Sequence, residues 1–331
     1  MENYIVLDLE WNQSAEGKEE AVEHFPFEII EIGAVRLNDA MEEMDSFRCL
    51  VTPQVYPKLH EKIWEVTHLE EKVLREEGEN FEAAIGKFLA WCKEEPVFFT
   101  WGSMDLTELQ RNMAFYKISN PFPKPFLYYD VQKLYSLLYG DGKERQSLDT
   151  AVLEQGLEED RPFHRAMDDA HYTGRILKHM DFQKVKAYRS VDYYRLPENK
   201  EEEIYLVFPE YSKYISRSFE TKHEAIKDKT VTDLICCKCG RMLRKTVRWF
   251  SANQKIYTAL GCCPVHGNVK GKIRMRKAEG GKTYVVKTMR LMGEGGAEDI
   301  YKKNEAAQRK RMEKGKTGKK KAAAMQHSWK T

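Results

Sequence analysis

Tyr4-Ile5-Val6-Leu7-Asp8-Leu9-Glu10-Trp11 is the stretch from which the fold is read. Its first four residues are aromatic, branched or apolar, the composition of a buried strand, and two carboxylates follow at a spacing of two. A strand alternates its side chains, so Asp8 and Glu10 share one face at the carboxyl edge, where open α/β sheets place their ligands. A strand leaving the core into solvent would read the same way. The pair gains weight only from what stands elsewhere in the chain.

Moving outward, further short runs at 27–37, 47–51 and 97–100 are rich in β-branched and aromatic residues and predict strands. Apolar residues at helical spacing follow: Phe81, Ile85, Phe88 and Leu89; Leu106, Leu109 and Met113; Leu148 and Val152; Ala166, Ala170, Thr173 and Leu177. This order predicts an α/β domain over residues 1–182, a mixed sheet flanked by helices. The next stretch, 183–233, reads as a connector with some order, 234–292 as a small cysteine-bearing β-rich module, and 293–331 as a basic tail without fixed structure. A hairpin turn is expected at Glu279-Gly280-Gly281-Lys282.

Three more residues give Asp8 and Glu10 company. Asp105 follows the apolar run 97–100 through Trp101-Gly102-Ser103-Met104 and falls in the first turn of a helix. A first-turn aspartate is favoured there by the helix dipole whatever its function. His164 and Asp169 are more specific. Five helical steps would leave them about 140° apart, but Pro162 starts the helix near His164 and leaves the histidine on the entering loop. Asp169 then falls beside Ala166, Thr173 and Ile176 and points inward, whereas Asp168 joins a polar stripe. Four carboxylates brought to one place could hold two divalent ions about 3.5–4 Å apart for displacement at phosphorus, and oxygen donors suit Mg²⁺ or Mn²⁺. A neutral histidine beside them can take the proton of an attacking water.

Leu7-Asp8-Leu9-Glu10, Trp101-Gly102-Ser103-Met104-Asp105 and His164-Arg165-Ala166-Met167-Asp168-Asp169 resemble, in order and separation, the three motifs of the DEDDh 3′-5′ exonuclease superfamily, which includes ribonuclease T and the bacterial proofreading subunit. Phe27-Glu28-Ile29-Ile30-Glu31-Ile32-Gly33-Ala34-Val35 is most similar to the ERI-like and KapD-like branch. The resemblance spans residues 3–182. It implies a ribonuclease H-like fold, two Mg²⁺ or Mn²⁺ ions held by Asp8, Glu10, Asp105 and Asp169, His164 as general base, and single-stranded 3′ ends as substrate, RNA ahead of DNA. Trp11, next to Glu10, is either a stacking platform for a terminal base or a core aromatic.

The seven cysteines are odd in number and five of them crowd into Cys236 to Cys263, which points away from a disulfide framework and toward metal binding. Cys236-Cys237-Lys238-Cys239-Gly240 and Cys263-Pro264-Val265-His266-Gly267 repeat one pattern, ligand, two residues, ligand, glycine, which suits one structural Zn²⁺ on Cys236, Cys239, Cys263 and His266. Cys262 could replace Cys263. The module looks like a zinc ribbon, and Arg241, Arg244, Lys245 and Arg248, with Lys270, Lys272, Arg274 and Arg276 further on, offer a nucleic-acid surface or merely a solvated one.

Charge divides the same way. Residues 1–221 carry a net −17 and residues 222–331 a net +19, so an acidic body is joined to a basic attachment of the kind that meets polyanions. With 32% charged residues and no long apolar run, a cytoplasmic protein without membrane partners is expected. The rival expectation is an adaptor that uses the nuclease-like domain and the ribbon only for binding.

Overall fold

The structure, a computed structural model, describes residues 2–251, 253, 255–293 and 295–309. It divides into two units, residues 1–195 and 196–331.

The first unit runs β1 (Tyr4–Asn12), β2 (Glu28–Leu37), β3 (Glu43–Leu50), α1 (Glu61–Thr67), α2 (Glu71–Glu77), α3 (Phe81–Cys92), β4 (Val97–Thr100), α4 (Asp105–Phe115), β5 (Leu127–Asp130), α5 (Val131–Tyr139), α6 (Leu148–Glu154), α7 (Ala166–His179), α8 (Phe182–Val185) and β6 (Ser190–Val191). Its sheet has the order β3-β2-β1-β4-β5-β6, antiparallel through the β1–β3 meander and parallel at β1, β4 and β5. Alternation along β1 builds the core on both faces. Ile5, Leu7 and Leu9 pack with Phe88, Phe98 and Leu109 under α3 and α4. Tyr4 and Val6 pack with Val35, Phe99, Tyr129 and Ile176 under α5 to α8. Asp8 and Glu10 continue the Val6 face, so the strand period aims them at the α7 side. This is the mixed, helix-flanked sheet that the resemblance implies. The expected strand at 47–51 begins earlier, at Glu43, because its first turns are an exposed edge of charged residues.

The second unit contains β7 (Ile204–Val207), β8 (Tyr211–Ile215), α9 (Lys222–Lys227), α10 (Lys229–Thr232), β9 (Arg244–Phe250), β10 (Ile256–Cys263), β11 (Gly267–Lys277) and β12 (Thr283–Leu291). They form an antiparallel sheet of order β7-β8-β12-β11-β10-β9. The stretch expected as a connector, 183–233, is therefore folded. Its early part completes the first unit, where β6 pairs with β5 and buried Asp192 accepts hydrogen bonds from Thr107 and Gln110. Its later part supplies β7, β8, α9 and α10 to a core of Tyr214, Phe219, Val231, Ile273 and Val285. The cysteine-bearing module is thus larger than a ribbon over 234–292. The turn between β11 and β12 falls at 279–282 as expected, closed by the Ala278 N–H to Lys282 carbonyl bond. Of the stretch expected as an unstructured tail, 296–309 is helical and buries Ile300 against Val247 and Leu260. Its remainder, 310–331, lies outside the described residues. Among the described residues no helix is long and apolar enough to cross a membrane.

Candidate active site

Asp8 and Glu10 sit near the end of β1, and the ladder to β2 pairs Asp8 with Gly33 and Glu10 with Glu31 before a bulge between Glu10 and Trp11. The bulge ends the regular alternation just past the two carboxylates. Asp169 enters from the first turn of α7, and one oxygen from each of Asp8, Glu10 and Asp169 lies within 4.8 Å of the others. Asp105 is buried at the start of α4 and accepts a hydrogen bond from the Leu9 backbone N–H, the residue between the two β1 carboxylates. The helix is capped by Met104 without a side-chain bond; Ser103 makes no cap.

His164 precedes α7, as its placement beside Pro162 predicts. Its side chain is exposed, its φ is +64°, a left-handed backbone unusual for a residue with a side chain, and its backbone N–H donates to both Asp169 oxygens at 3.3 Å. The bond fastens the loop to the carboxylate and leaves the imidazole free to face solvent. Asp168 points elsewhere and pairs with Arg161 at 3.3 Å.

Burial first, and then the charges of neighbouring carboxylates, shift all four groups in one direction. Asp8 is held well above the usual range by burial and then by the charges of Asp105, Asp169 and Glu10. Glu10 is pushed up to about 8, by burial and then by Asp169 and Glu31. Asp105 and Asp169 are each raised to about 7, burial again the first cause. Four oxygen-donor groups that resist ionising together are what a divalent cation of the Mg²⁺ or Mn²⁺ type would neutralise, so the donor set fits such ions.

Two contributors are not visible in the motifs. Glu31 is fully buried and held below the usual carboxylate range: against its burial stand hydrogen bonds from Arg165 at 2.9 and 3.1 Å and from Arg48 at 2.7 Å. Arg165 is the residue between His164 and α7, so Glu31 ties the histidine loop to β2. Gly33 admits α7: a methyl group there would meet the Ala166 carbonyl carbon at 2.1 Å. An isolated glycine in an apolar strand is the one signal the sequence offers for such an approach. Trp11 is half-buried, against Phe27 at 5.7 Å, and packs on the core.

In the second unit, Cys236, Cys239, Cys263 and His266 come together. Cys239 and Cys263 sulfurs are 3.7 Å apart, and the His266 Nδ1 lies 3.6 Å from Cys236 and 3.7 Å from Cys263. Sulfur ligands at about 2.3 Å in a tetrahedron lie about 3.8 Å from one another, so both spacing and donor set fit Zn²⁺. Gly240 and Gly267 take φ of +68° and +79°, closing the two turns. Backbone N–H donation from Val265, and from His266, holds the Cys263 thiol down to about 6, favouring the thiolate a metal needs. Cys262 is exposed and Cys237 donates to the Glu210 carbonyl at 3.6 Å; neither joins the cluster. Arg241, Arg244 and Arg248 are exposed and Lys245 half-buried, the last three on the edge strand β9.

The exonuclease family profile of the RNase T type matches residues 5–177. Among curated proteins no sequence matches the chain. Among solved structures, a full-length 3′-exonuclease is 22% identical over 56% of this chain and 83% of its own, with a TM-score of 0.47. The nuclease domain of 3′hExo, described as a DEDDh family member bound to rAMP, is 20% identical over 58% and 96%, with a TM-score of 0.48. E. coli Exonuclease I in complex with a dT13 oligonucleotide is 13% identical over 78% and 55%, with a TM-score of 0.48. With more than half its length matched by that profile, the chain belongs to the RNase T exonuclease family of 3′-5′ exonucleases.

Proposed function

We propose that this cytoplasmic exonuclease removes nucleotides from single-stranded 3′ ends, RNA ahead of DNA, with Asp8, Glu10, Asp105 and Asp169 holding two Mg²⁺ or Mn²⁺ ions and His164 as general base. The observation that carries the reading is the meeting of Asp8, Glu10 and Asp169 within 4.8 Å, with buried Asp105 bonded to the Leu9 N–H between the two β1 carboxylates and the N–H of exposed His164 bonded to Asp169. Bound divalent ions supply charge to the phosphoryl oxygens and lower the pKa of water. The chain's own part is positional. The Leu9 N–H orients Asp105, the His164 N–H orients Asp169, and the Glu31–Arg165 pair ties the histidine loop to β2. The neutral imidazole of His164 accepts the proton of the attacking water at one ring nitrogen. One Zn²⁺ on Cys236, Cys239, Cys263 and His266 closes the second unit, whose basic residues, Arg241, Arg244, Lys245 and Arg248 among them, draw the polyanion in. RNA is favoured by the likeness of 27–35 to the ERI-like and KapD-like branch.

The test is Mg²⁺-dependent release of mononucleotides from 3′ ends of matched labelled RNA and DNA. Asp8→Ala, Glu10→Ala, Asp105→Ala and Asp169→Ala should each abolish it, and His164→Ala should slow it by about 10² to 10⁴. Near wild-type turnover in any carboxylate variant rejects the two-ion site, and faster trimming of DNA rejects the RNA preference.

A further inference from the structure

On β11, Val269, Gly271, Ile273 and Met275 are buried, and Lys270, Lys272, Arg274 and Arg276 occupy the opposite face. Cross-strand pairs share a face, so the flanking positions of this row can be named. Lys272 lies between Thr258 and Thr288, Arg274 between Ile256 and Val286, and Arg276 beside Tyr284. Lys270 stands opposite Arg290, a like-charge pair that costs stability in a sheet. No acidic residue occurs on this face of β8, β10, β11 or β12. Among the described residues Lys272, Arg274 and Arg276 form no ion pair; Arg290 is occupied by Glu210, and Asp299, the acid near Lys270, by Lys303. Lys272 is held below the ordinary lysine range, by burial and then by the charges of Arg274 and Lys270. A merely solvated strand would relieve this repulsion with an interleaved Glu or Asp, and the helical stretch over 296–309 packs through Ile300 on Val247 and Leu260, on the β9–β10 side of Lys270. Its charges recur every two residues, about 6.7 Å along the strand. That repeat fits a linear polyanion of extended, regularly spaced phosphates better than the irregular carboxylates of an acidic protein.

We propose that this face of β11 is a second contact surface, a path for the phosphodiester backbone of a single-stranded nucleic acid with Lys272, Arg274 and Arg276 on successive phosphates. Its residues are neither the carboxylates of the first unit nor the β9 residues Arg244, Lys245 and Arg248. The inference rests on the reading that the substrate is single-stranded nucleic acid, and its test does not require turnover.

In the full chain carrying Asp8→Asn, binding of a 30-nucleotide oligouridylate is followed by fluorescence anisotropy across a salt titration. Lys272→Gln with Arg274→Gln and Arg276→Gln should raise Kd at least about tenfold and flatten the log Kd against log salt slope by about 2, three phosphates at about 0.7 each. Lys272→Ala alone should flatten it by about 0.7, which keeps the test open if the triple variant folds poorly. With Asp8 restored, KM for the same strand should rise while kcat and turnover of a trinucleotide stay at wild-type values. Unchanged Kd and slope in the folded, zinc-containing variants overturn the proposal. Absence of any nuclease activity would sink the proposed function and leave the binding result standing.

Discussion

The α-carbon of Gly33 faces the backbone of Ala166 so closely that no side chain fits between β2 and the start of α7. Gly33 is also the ladder partner of Asp8. The close approach therefore decides how near Asp169, three residues into α7, comes to the first carboxylate of β1. Gly33→Ala is expected to push the helix off the sheet, costing about 1–3 kcal/mol as an overpacked contact and lowering turnover by about 10² or more through misplacement of Asp169. Thermal unfolding and single-turnover cleavage measure the two effects; a variant of normal stability and rate would show that the helix start tolerates displacement.

Glu31 and Arg165 are 134 residues apart in the chain and joined by two hydrogen bonds, one to each carboxylate oxygen, and Arg48 shares Oε1 with one of them. Glu31→Gln keeps the shape and removes the charge that both arginines face. Because both arginines keep some access to water, the cost should fall below that of a fully buried pair, about 1–3 kcal/mol. The sharper readout is kinetic. A loosened His164 loop should lower kcat with Mg²⁺ affinity intact, whereas a purely structural role would change stability alone.

How much of this was legible follows from how local each signal is. Asp8 and Glu10 could be read because a strand's period fixes their shared face, His164 because Pro162 marks where the helix begins, and the four zinc-type ligands because each pair is four residues long. The roles of Gly33 and Glu31 are set by α7 and Arg165, which arrive from far along the chain. Trp11 was readable only as a pair of alternatives, and packing against Phe27 places it on the core. β7 and β8 carry a weak local signal for a different reason: Glu201-Glu202-Glu203 before them and Lys213 within them look like solvated linker, and the strands are defined by their pairing with each other and by that of β8 with β12.

The raised carboxylates carry a pH dependence. A group whose folded pKa lies above its unfolded value stabilises the fold at pH below the unfolded value, near 4, and that contribution is lost as pH rises through the folded value. With Glu10 at about 8 and Asp105 and Asp169 at about 7, the metal-free protein should lose stability between about pH 4 and pH 8. Mn²⁺ or Mg²⁺ should restore it, most strongly at the upper end, because binding requires the ionised carboxylates. Melting curves at pH 5.5 and 8.0, with and without Mn²⁺, check both signs. Asp8→Asn should raise the metal-free Tm at pH 8.0, and an unaltered Tm would mean the four groups do not repel as their burial implies.

Zinc should be present at about one ion per chain and resist dialysis, since binding energy at such a site is folding energy for the elements it joins. Cys239→Ser and His266→Ala should lose it and destabilise the second unit, while Cys262→Ser, outside the cluster, should keep it. Elemental analysis gives the stoichiometry, and cleavage of a trinucleotide by the variants reports whether the first unit stays folded. Retention of zinc by Cys239→Ser together with its loss from Cys262→Ser would reassign the ligand set.

The second unit adds positive charge to an acidic first unit. Residues 1–195 hold 23 Lys and Arg against 37 Asp and Glu, a net of −14, and residues 196–331 hold 31 against 15, a net of +16. The isolated first unit must bring a polyanion to an acidic surface, with only its bound ions to offset the phosphates near the scissile bond. The cut belongs after Arg195, because ending at 182 would remove β6 and the Asp192 contacts to Thr107 and Gln110. Residues 1–195 should therefore fold, cleave trinucleotides at the rate of the full chain, and show a raised KM for long strands. The salt dependence of that KM should be flatter, since each phosphate no longer neutralised removes about 0.7 from the logarithmic slope on single strands. If the truncated chain bound long RNA as tightly as the full chain at every salt concentration, the charge of the second unit would serve something other than substrate capture, and protein docking would be the better account of it.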